Sequence, residues 1–408
     1  MLTVLFPQLL PLLATVHCGL VALKSPGTTT TVVKVLKEGI LAAKLNNGFK
    51  VYVIPGAART VPPVGLISAF FDDSDEPLVL YTPLFDDEMC HRLRDVLLSE
   101  AGNFYFFDEH NRELAGYKAK LTTSQSSREL LSWPALPEFS PSILRSQLDR
   151  MSQWFGNRSA EDDRNAIRID FSASLFSDDL LFIDARPEAK TYFSGGKFRA
   201  SQLERQNPGP FQERDIAQLL RRSLPEAQIY IGPARVDSGK EVCDILVLTD
   251  SALLVVQAKD SPNTAEVVMN SVTRKKATAL KSLRKALAQI SGAIRYCRNC
   301  DPLRVSIDGD AIKLPIGARK IRALVVVKEL FSDEYGEYSK LLVASALKIS
   351  APCIALDYAE LNQYTANLYG EEALFEAFDR VFDYGVRSGS FPRLRVLPLI
   401  AAVCADDA

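Results

Sequence analysis

The sequence predicts an α/β protein with two domains: an α+β domain over residues 1–200, then a mixed sheet flanked by helices over residues 205–408. Three observations support this prediction. Almost half of the 408 residues are apolar and 24% are charged, which is typical of folded globular proteins. The length exceeds what one core ordinarily supports. In the second half, apolar runs of strand length alternate with amphipathic helical patterns.

The N-terminal elements follow from alternating apolar runs and from turn residues. We expect a Ser-, Thr- and Pro-rich loop at 122–141, and a domain boundary among the glycines and prolines of 195–210. The predicted strands are 49–54, 64–71, 78–82, 103–107, 114–121, 167–175 and 180–185, and the predicted helices are 85–99 and 142–155.

In the C-terminal half, the order of apolar runs and amphipathic segments predicts a helix, then three strands, then a long helix. Two further strands and two helices complete the domain. The predicted helices are 211–224, 272–297, 358–368 and 371–386, and the predicted strands are 227–231, 242–248, 252–258, 321–327 and 353–356.

The stretch from Leu2 to Leu23 is apolar enough to suggest an export signal. It starts without Lys or Arg, however, and Pro7 and Pro11 interrupt it. We expect a buried strand and helix there, or a start codon placed too far upstream, and no membrane partner. Seven scattered cysteines favour a reducing compartment, the cytoplasm. A Walker A motif and a GxGxxG motif are both absent, so nucleotide motors and Rossmann cofactor sites are not supported.

Residues 241–259 contain two apolar runs that are joined by a short polar turn, which predicts a hairpin. With Asp250 and Ser251 as its central residues, Asp244 lies opposite Gln257. Lys259, two residues further, shares that face. Charged groups on buried strands cost free energy unless they are paired or bind a metal. The structural alternative is an ion pair between Asp244 and Lys259.

Glu213 shares a helical stripe with Ala217 and Leu220, so it should point with the apolar face toward the sheet. A carboxylate in that position is explained if a cation lies beneath it. The alternative is a first-turn glutamate that the helix dipole stabilises. Asp237 and Glu241 are further acids near the site, and either could replace Glu213 as a ligand.

A glutamate on a helix, an aspartate on one strand and Gln257-Ala258-Lys259 on the next resemble the PD-(D/E)xK nucleases, in the QxK branch of Mrr-like and NERD-like restriction-type enzymes. The resemblance covers roughly residues 210–327. This sequence departs from the commoner family pattern in having Gln257 where most members have an acid. The difference removes one ligand charge. The resemblance implies a restriction-endonuclease-like fold, metal ligation by Glu213, Asp244 and the Ala258 carbonyl, and DNA cleavage in restriction or antiviral defence.

Oxygen donors of this kind suit Mg²⁺ or Mn²⁺, which can activate a water for attack on a phosphodiester. Lys259 would orient that water or neutralise charge on the phosphate. A homodimer would supply two sites for two strands. The following helix carries six basic residues that would contact the DNA backbone, or else form a solvated face: Arg274, Lys275, Lys276, Lys281, Arg284 and Lys285.

The sequence therefore predicts a metal-dependent deoxyribonuclease whose catalytic residues are Glu213, Asp244, Gln257 and Lys259. One alternative is a non-catalytic nucleic-acid-binding or scaffold protein that retains the nuclease fold. Another is an effector that a ligand or partner activates at the N-terminal domain.

Overall fold

The computed structural model describes residues 1–6, 9, 13, 18–23, 30–58, 61–73, 75–177, 180–183, 198–200 and 203–394. The fold is mixed α/β and is built around two main sheets, one in each half of the chain. Within the described ranges, no helix has both the length and the apolar character needed to cross a membrane.

The N-terminal half forms an eight-stranded sheet in the order β1-β2-β6-β7-β8-β3-β4-β5. All neighbouring pairs are antiparallel except β2 and β6. The strands are β1 (Gly19–Leu23), β2 (Thr30–Lys34), β3 (Gly48–Ile54), β4 (Gly65–Phe70), β5 (Leu78–Pro83), β6 (Ala101–Phe107), β7 (Glu113–Thr122) and β8 (Ile167–Ser174).

Helices pack on both faces of this sheet. One face buries an aromatic cluster in which Phe49 stacks on Phe70 with a 5.1 Å centroid distance. The other face packs Tyr52 against Met151 and Phe155. The helices are α1 (Leu2–Leu5), α2 (Lys37–Leu45), α3 (Glu88–Leu98), α4 (Gln125–Leu131), α5 (Pro141–Gly156) and α6 (Ala160–Asn165).

The C-terminal half forms a five-stranded sheet whose order is β11-β13-β14-β17-β18, beside a small three-stranded sheet, β12-β15-β16. In the larger sheet β11, β13 and β14 are antiparallel, whereas β14, β17 and β18 are parallel. A short two-stranded sheet, β9 (Leu181–Ile183) and β10 (Phe198–Ala200), precedes them. The strands of the two C-terminal sheets are β11 (Ile229–Ile231), β12 (Ala234–Arg235), β13 (Ile245–Leu248), β14 (Ala252–Lys259), β15 (Leu303–Ile307), β16 (Asp310–Leu314), β17 (Lys320–Val327) and β18 (Cys353–Asp357).

β14 lies at the centre of this sheet and is buried along almost its whole length. The helices of this half pack around it and share one core with the sheet, except the short helix at 265–268, whose Val268 packs into the core of the N-terminal half. They are α7 (Gly209–Leu220), α8 (Ala265–Val268), α9 (Val272–Asn299), α10 (Tyr335–Ile349), α11 (Tyr358–Asn367) and α12 (Glu371–Ser388).

Most predicted elements are present within a few residues of the expected bounds. The predicted loop at 122–141 is wrong in part, because α4 lies within it. Ser124 begins that helix by accepting a hydrogen bond from the Ser127 backbone N–H. The expected strand and helix near the N-terminus are present as β1 and α1, while residues 7, 8, 10–12 and 14–17 lie outside the described residues. Residues 195–197 and 201–202 of the expected boundary at 195–210 also lie outside them.

Candidate active site

The hairpin of β13 and β14 has the register that the sequence predicts. Ile245 pairs with Val256 and Leu248 with Leu253. The Thr249 backbone N–H donates to the Ala252 carbonyl at 3.0 Å, which closes the two-residue turn. Continued by one residue, this register places Asp244 opposite Gln257, as expected.

The Asp244 carboxylate is buried at the end of this hairpin, with 6% of the residue exposed. Its Oδ2 accepts a hydrogen bond from the Ala258 backbone N–H at 2.5 Å and lies 3.6 Å from Lys259 Nζ. Lys259 Nζ also donates to the Ala258 carbonyl at 2.7 Å. The ion pair that the sequence offered as an alternative is therefore present, and it orients both side chains.

Two further carboxylates approach Asp244 from outside the hairpin. Glu213 projects from α7 on the same side as the buried Ala217 and Leu220, as predicted. Glu241 lies before β13, where an isolated bridge to Ala234 holds its backbone. Ligand oxygens of Glu213, Glu241 and Asp244 all lie within 4.8 Å of one another. Glu241 thus joins Glu213 in the group rather than replacing it.

This grouping perturbs the acids electrostatically. Partial burial, with the neighbouring charges of Asp244 and Glu241, raises the pKa of Glu213 to about 7. Partial burial and Asp244 also raise the pKa of Glu241. Lys259 opposes both shifts but does not cancel them. A bound cation or a bound proton would relieve this repulsion.

The donor set fits a hard divalent cation. Oxygen ligands of Mg²⁺ at 2.0–2.1 Å are separated by at most about 4.2 Å, so small side-chain movements would bring these three carboxylates into range. Gln257 is 2% exposed and lies on β14, the strand that also carries Lys259. The Ala258 carbonyl, expected as a ligand, already accepts a hydrogen bond from Lys259 and would have to share its second lone pair. Asp237 is exposed and is not part of the group.

Three of the six basic residues on α9 have an acidic partner among the residues that the structure describes. Lys275 Nζ lies 2.6 Å from Asp72 Oδ2 with 15% of its side chain exposed, so it binds the N-terminal half, and its contact with DNA stays a prediction. Lys276 binds Asp333, and Arg284 binds Glu337. The remaining three are exposed, and their contact with the DNA backbone stays a prediction: Arg274, Lys281 and Lys285.

The charge asymmetry of the sequence has a structural role. Residues 69–116 contain twelve acids and three bases, and residues 261–300 contain eight bases and one acid. The two segments meet where Lys275 binds Asp72 and where the Val272 backbone N–H donates to Asp73 at 3.1 Å. Part of the basic stripe therefore binds the N-terminal half.

Sequence reasoning missed a set of buried and partly buried charges between the two halves. Lys37 Nζ lies 3.4 Å from Asp260 Oδ2, and Glu38 Oε1 lies 2.9 Å from Lys328 Nζ. Arg112 donates to Asp215. The partners are more than 100 residues apart, and no local pattern in the sequence indicates such pairs.

Comparison with family models, with curated proteins and with solved structures found no match for this chain. The function is therefore inferred from the residues of the site.

Proposed function

We propose that the chain is a metal-dependent nuclease that hydrolyses DNA phosphodiester bonds, with a restriction-endonuclease-like domain in its C-terminal half. One observation carries the proposal. Three carboxylates, one from α7 and two from the segment that leads into β13, converge beside a lysine at the end of a buried hairpin. The order of these residues along the chain and their elements agree with the PD-(D/E)xK pattern.

Each group of the site has a role that its geometry supports. Glu213, Glu241 and Asp244 would hold Mg²⁺ or Mn²⁺, and the bound ion supplies Lewis acidity and a water of lowered pKa. The Ala258 backbone N–H fixes the Asp244 carboxylate. Lys259 presents its ammonium group beside that carboxylate, where it neutralises charge that develops on a phosphate.

The surroundings of the site bear on its substrate. The exposed cations of α9 (Arg274, Lys281 and Lys285) provide contacts to phosphates without selecting a base sequence. DNA as the substrate, a homodimer and a role in restriction or antiviral defence follow from the resemblance to Mrr-like and NERD-like enzymes. The six described cysteines are free thiols, which fits the reducing cytoplasm.

A non-catalytic nucleic-acid-binding protein is the second candidate. The ion pair between Asp244 and Lys259 favours it, because such a pair can be purely structural. This candidate does not account for Glu213 and Glu241, since partial burial and the approach to Asp244 raise the pKa of both. The first candidate explains the ion pair and the additional acids together.

The test is cleavage of supercoiled and linear plasmid by the purified full chain with Mg²⁺ or Mn²⁺. We expect wild type to cut, and Asp244→Ala and Lys259→Ala to lose activity. Asp237→Ala is the matched control, since it removes an exposed acid outside the carboxylate group. Absence of cutting together with absence of calorimetric Mn²⁺ binding would favour the second candidate. Metal binding without cutting would indicate a required activating ligand or partner at the N-terminal domain.

A further inference from the structure

The N-terminal half contacts the residue that directly follows Lys259. Asp260 is the first residue beyond β14, and its side chain is 2% exposed. Lys37, at the start of α2, places its Nζ 3.4 Å from Asp260 Oδ2, with its own side chain 7% exposed. The Tyr358 hydroxyl donates to the same oxygen at 3.1 Å. The end of β14 is thus fixed from two sides.

A second contact holds the helix that carries Glu213. Asp215 lies two residues further along α7, and its Oδ2 accepts a hydrogen bond from Arg112 at 2.8 Å. Arg112 is itself oriented by Asp108, whose carboxylate is fully buried and accepts from Arg112 Nε at 2.7 Å. The contact therefore joins α7 to the turn between β6 and β7.

Burial distinguishes the Lys37–Asp260 pair from ordinary surface ion pairs. The side chains of Arg112 and Asp215 are 21% and 24% exposed, and the fully buried Asp108 holds Arg112 in place. Removing one partner of a buried pair leaves an uncompensated charge in a region of low dielectric, so the partner is held strongly in place. Lys44 offers a comparison on the same helix as Lys37. Its pair with Glu204 has side chains 28% and 48% exposed, and such pairs constrain little.

We propose that Lys37 and Arg112 are positioning residues of the candidate active site, which makes the N-terminal domain a working part of that site. Lys37 fixes, through Asp260, the strand end that presents Lys259. Arg112 fixes, through Asp215, the helix that presents Glu213. This inference rests on the proposed nuclease function. Loss of the Lys37 contact should affect kcat, because Lys259 acts on the phosphate. Loss of the Arg112 contact should affect metal affinity, because Glu213 acts on the metal.

The experiment compares full-length variants for cleavage and for Mn²⁺ binding. Lys37→Met should lower kcat about 10- to 100-fold while KM and the Kd for Mn²⁺ change less than about two-fold, since small displacements of a catalytic group have effects of this size. Lys37→Arg should restore most of kcat. Lys44→Met is the matched control and should cut like wild type. In an Asp260→Asn background, Lys37→Met should have little further effect, because both act through one contact.

Asp215→Asn tests the second contact without disturbing the turn that Asp108 and Arg112 form. We expect the Kd for Mn²⁺ to rise about ten-fold, with normal thermal unfolding. Unchanged kcat in folded Lys37→Met, together with unchanged Mn²⁺ affinity in Asp215→Asn, would overturn the proposal.

Amide hydrogen exchange separates this inference from the proposed function. Lys37→Met should speed exchange in peptides covering 252–262, and Lys44→Met should not. If wild type neither cuts nor binds Mn²⁺, the nuclease function fails, and the exchange result alone decides whether Lys37 restrains β14. Unchanged exchange in Lys37→Met would refute that restraint.

Discussion

Replacing Glu213 with glutamine removes one of three neighbouring negative charges and keeps the size of the side chain. The pKa of Glu213 is raised from 4.5 to about 7, so without metal its charged form is disfavoured in the folded state. For a carboxylate with a raised pKa, the folded chain holds a proton that the unfolded chain has released. Stability of the metal-free protein therefore falls as the pH rises from about 4.5 to 7.

The magnitude follows from the size of that shift. At roughly 1.4 kcal/mol for each pKa unit, a fully dry site would be destabilised by about 3 kcal/mol at pH 8. Glu213 is only partly buried, and solvent screening reduces the expected effect to about 1 kcal/mol. Glu213→Gln should therefore be more stable than wild type at pH 8 without metal, by about 2–4 °C in Tm.

The assay is thermal unfolding of wild type and Glu213→Gln in EDTA at pH 8 and pH 5. The difference should vanish at pH 5, where Glu213 is already protonated. Millimolar Mn²⁺ should raise the Tm of wild type but not that of the variant. Glu226→Gln, at an exposed glutamate that pairs with Arg221, is the control and should change little. A less stable Glu213→Gln in EDTA at pH 8, or equal stabilisation of both proteins by Mn²⁺, would refute the reasoning.

Four other predictions concern the metal and the basic helix. Gln257→Glu adds an acid to the site, so calorimetry at pH 8 should show tighter Mn²⁺ binding; weaker binding would place Gln257 outside the ligand set. Mn²⁺ affinity of wild type should fall as the pH drops from 8 to 6, since Glu213 takes up the proton, and a flat calorimetric profile would contradict that. Lys275→Met should lower the free energy of unfolding in urea by about 3 kcal/mol, because it leaves Asp72 buried and unpaired. Arg274→Ala should leave stability unchanged. Fluorescence anisotropy should show weaker DNA binding, with a salt dependence reduced by about one phosphate contact. If Arg274→Ala instead lowered stability and Lys275→Met weakened DNA binding, the roles assigned to the two residues would be exchanged.

Local patterns in the sequence account for the parts of the site that lie within one element or one hairpin. A two-residue turn fixes the register of the hairpin, so the position of Asp244 opposite Gln257 could be predicted. Helical periodicity placed Glu213 on the buried face of α7. The Ser- and Thr-rich start of α4 favours a loop in the sequence, because serine, which caps this helix at Ser124, is also common in turns.

The remaining parts depend on tertiary contacts that no local pattern encodes. Glu241 lies outside the regular strands, so strand periodicity could not aim its side chain. Lys37 and Asp260 are 223 residues apart, and Arg112 and Asp215 are 103 apart. Lys275 fitted a DNA-binding stripe by composition alone, and only the docking of the two halves shows that it binds Asp72.

The central position of β14 also affects how the protein forms during translation. Its parallel partner β17 begins about 60 residues after β14 ends, and the Tyr358 hydroxyl that contacts Asp260 is 98 residues further along. Ribosomes add about 5–20 residues each second, so Lys259 emerges roughly 5–20 s before the last segment that holds its strand. Long-range strand pairing is slow in itself, which lengthens the interval. A nascent chain would thus complete the candidate site only after the 98 residues from Asp260 to Tyr358 have emerged.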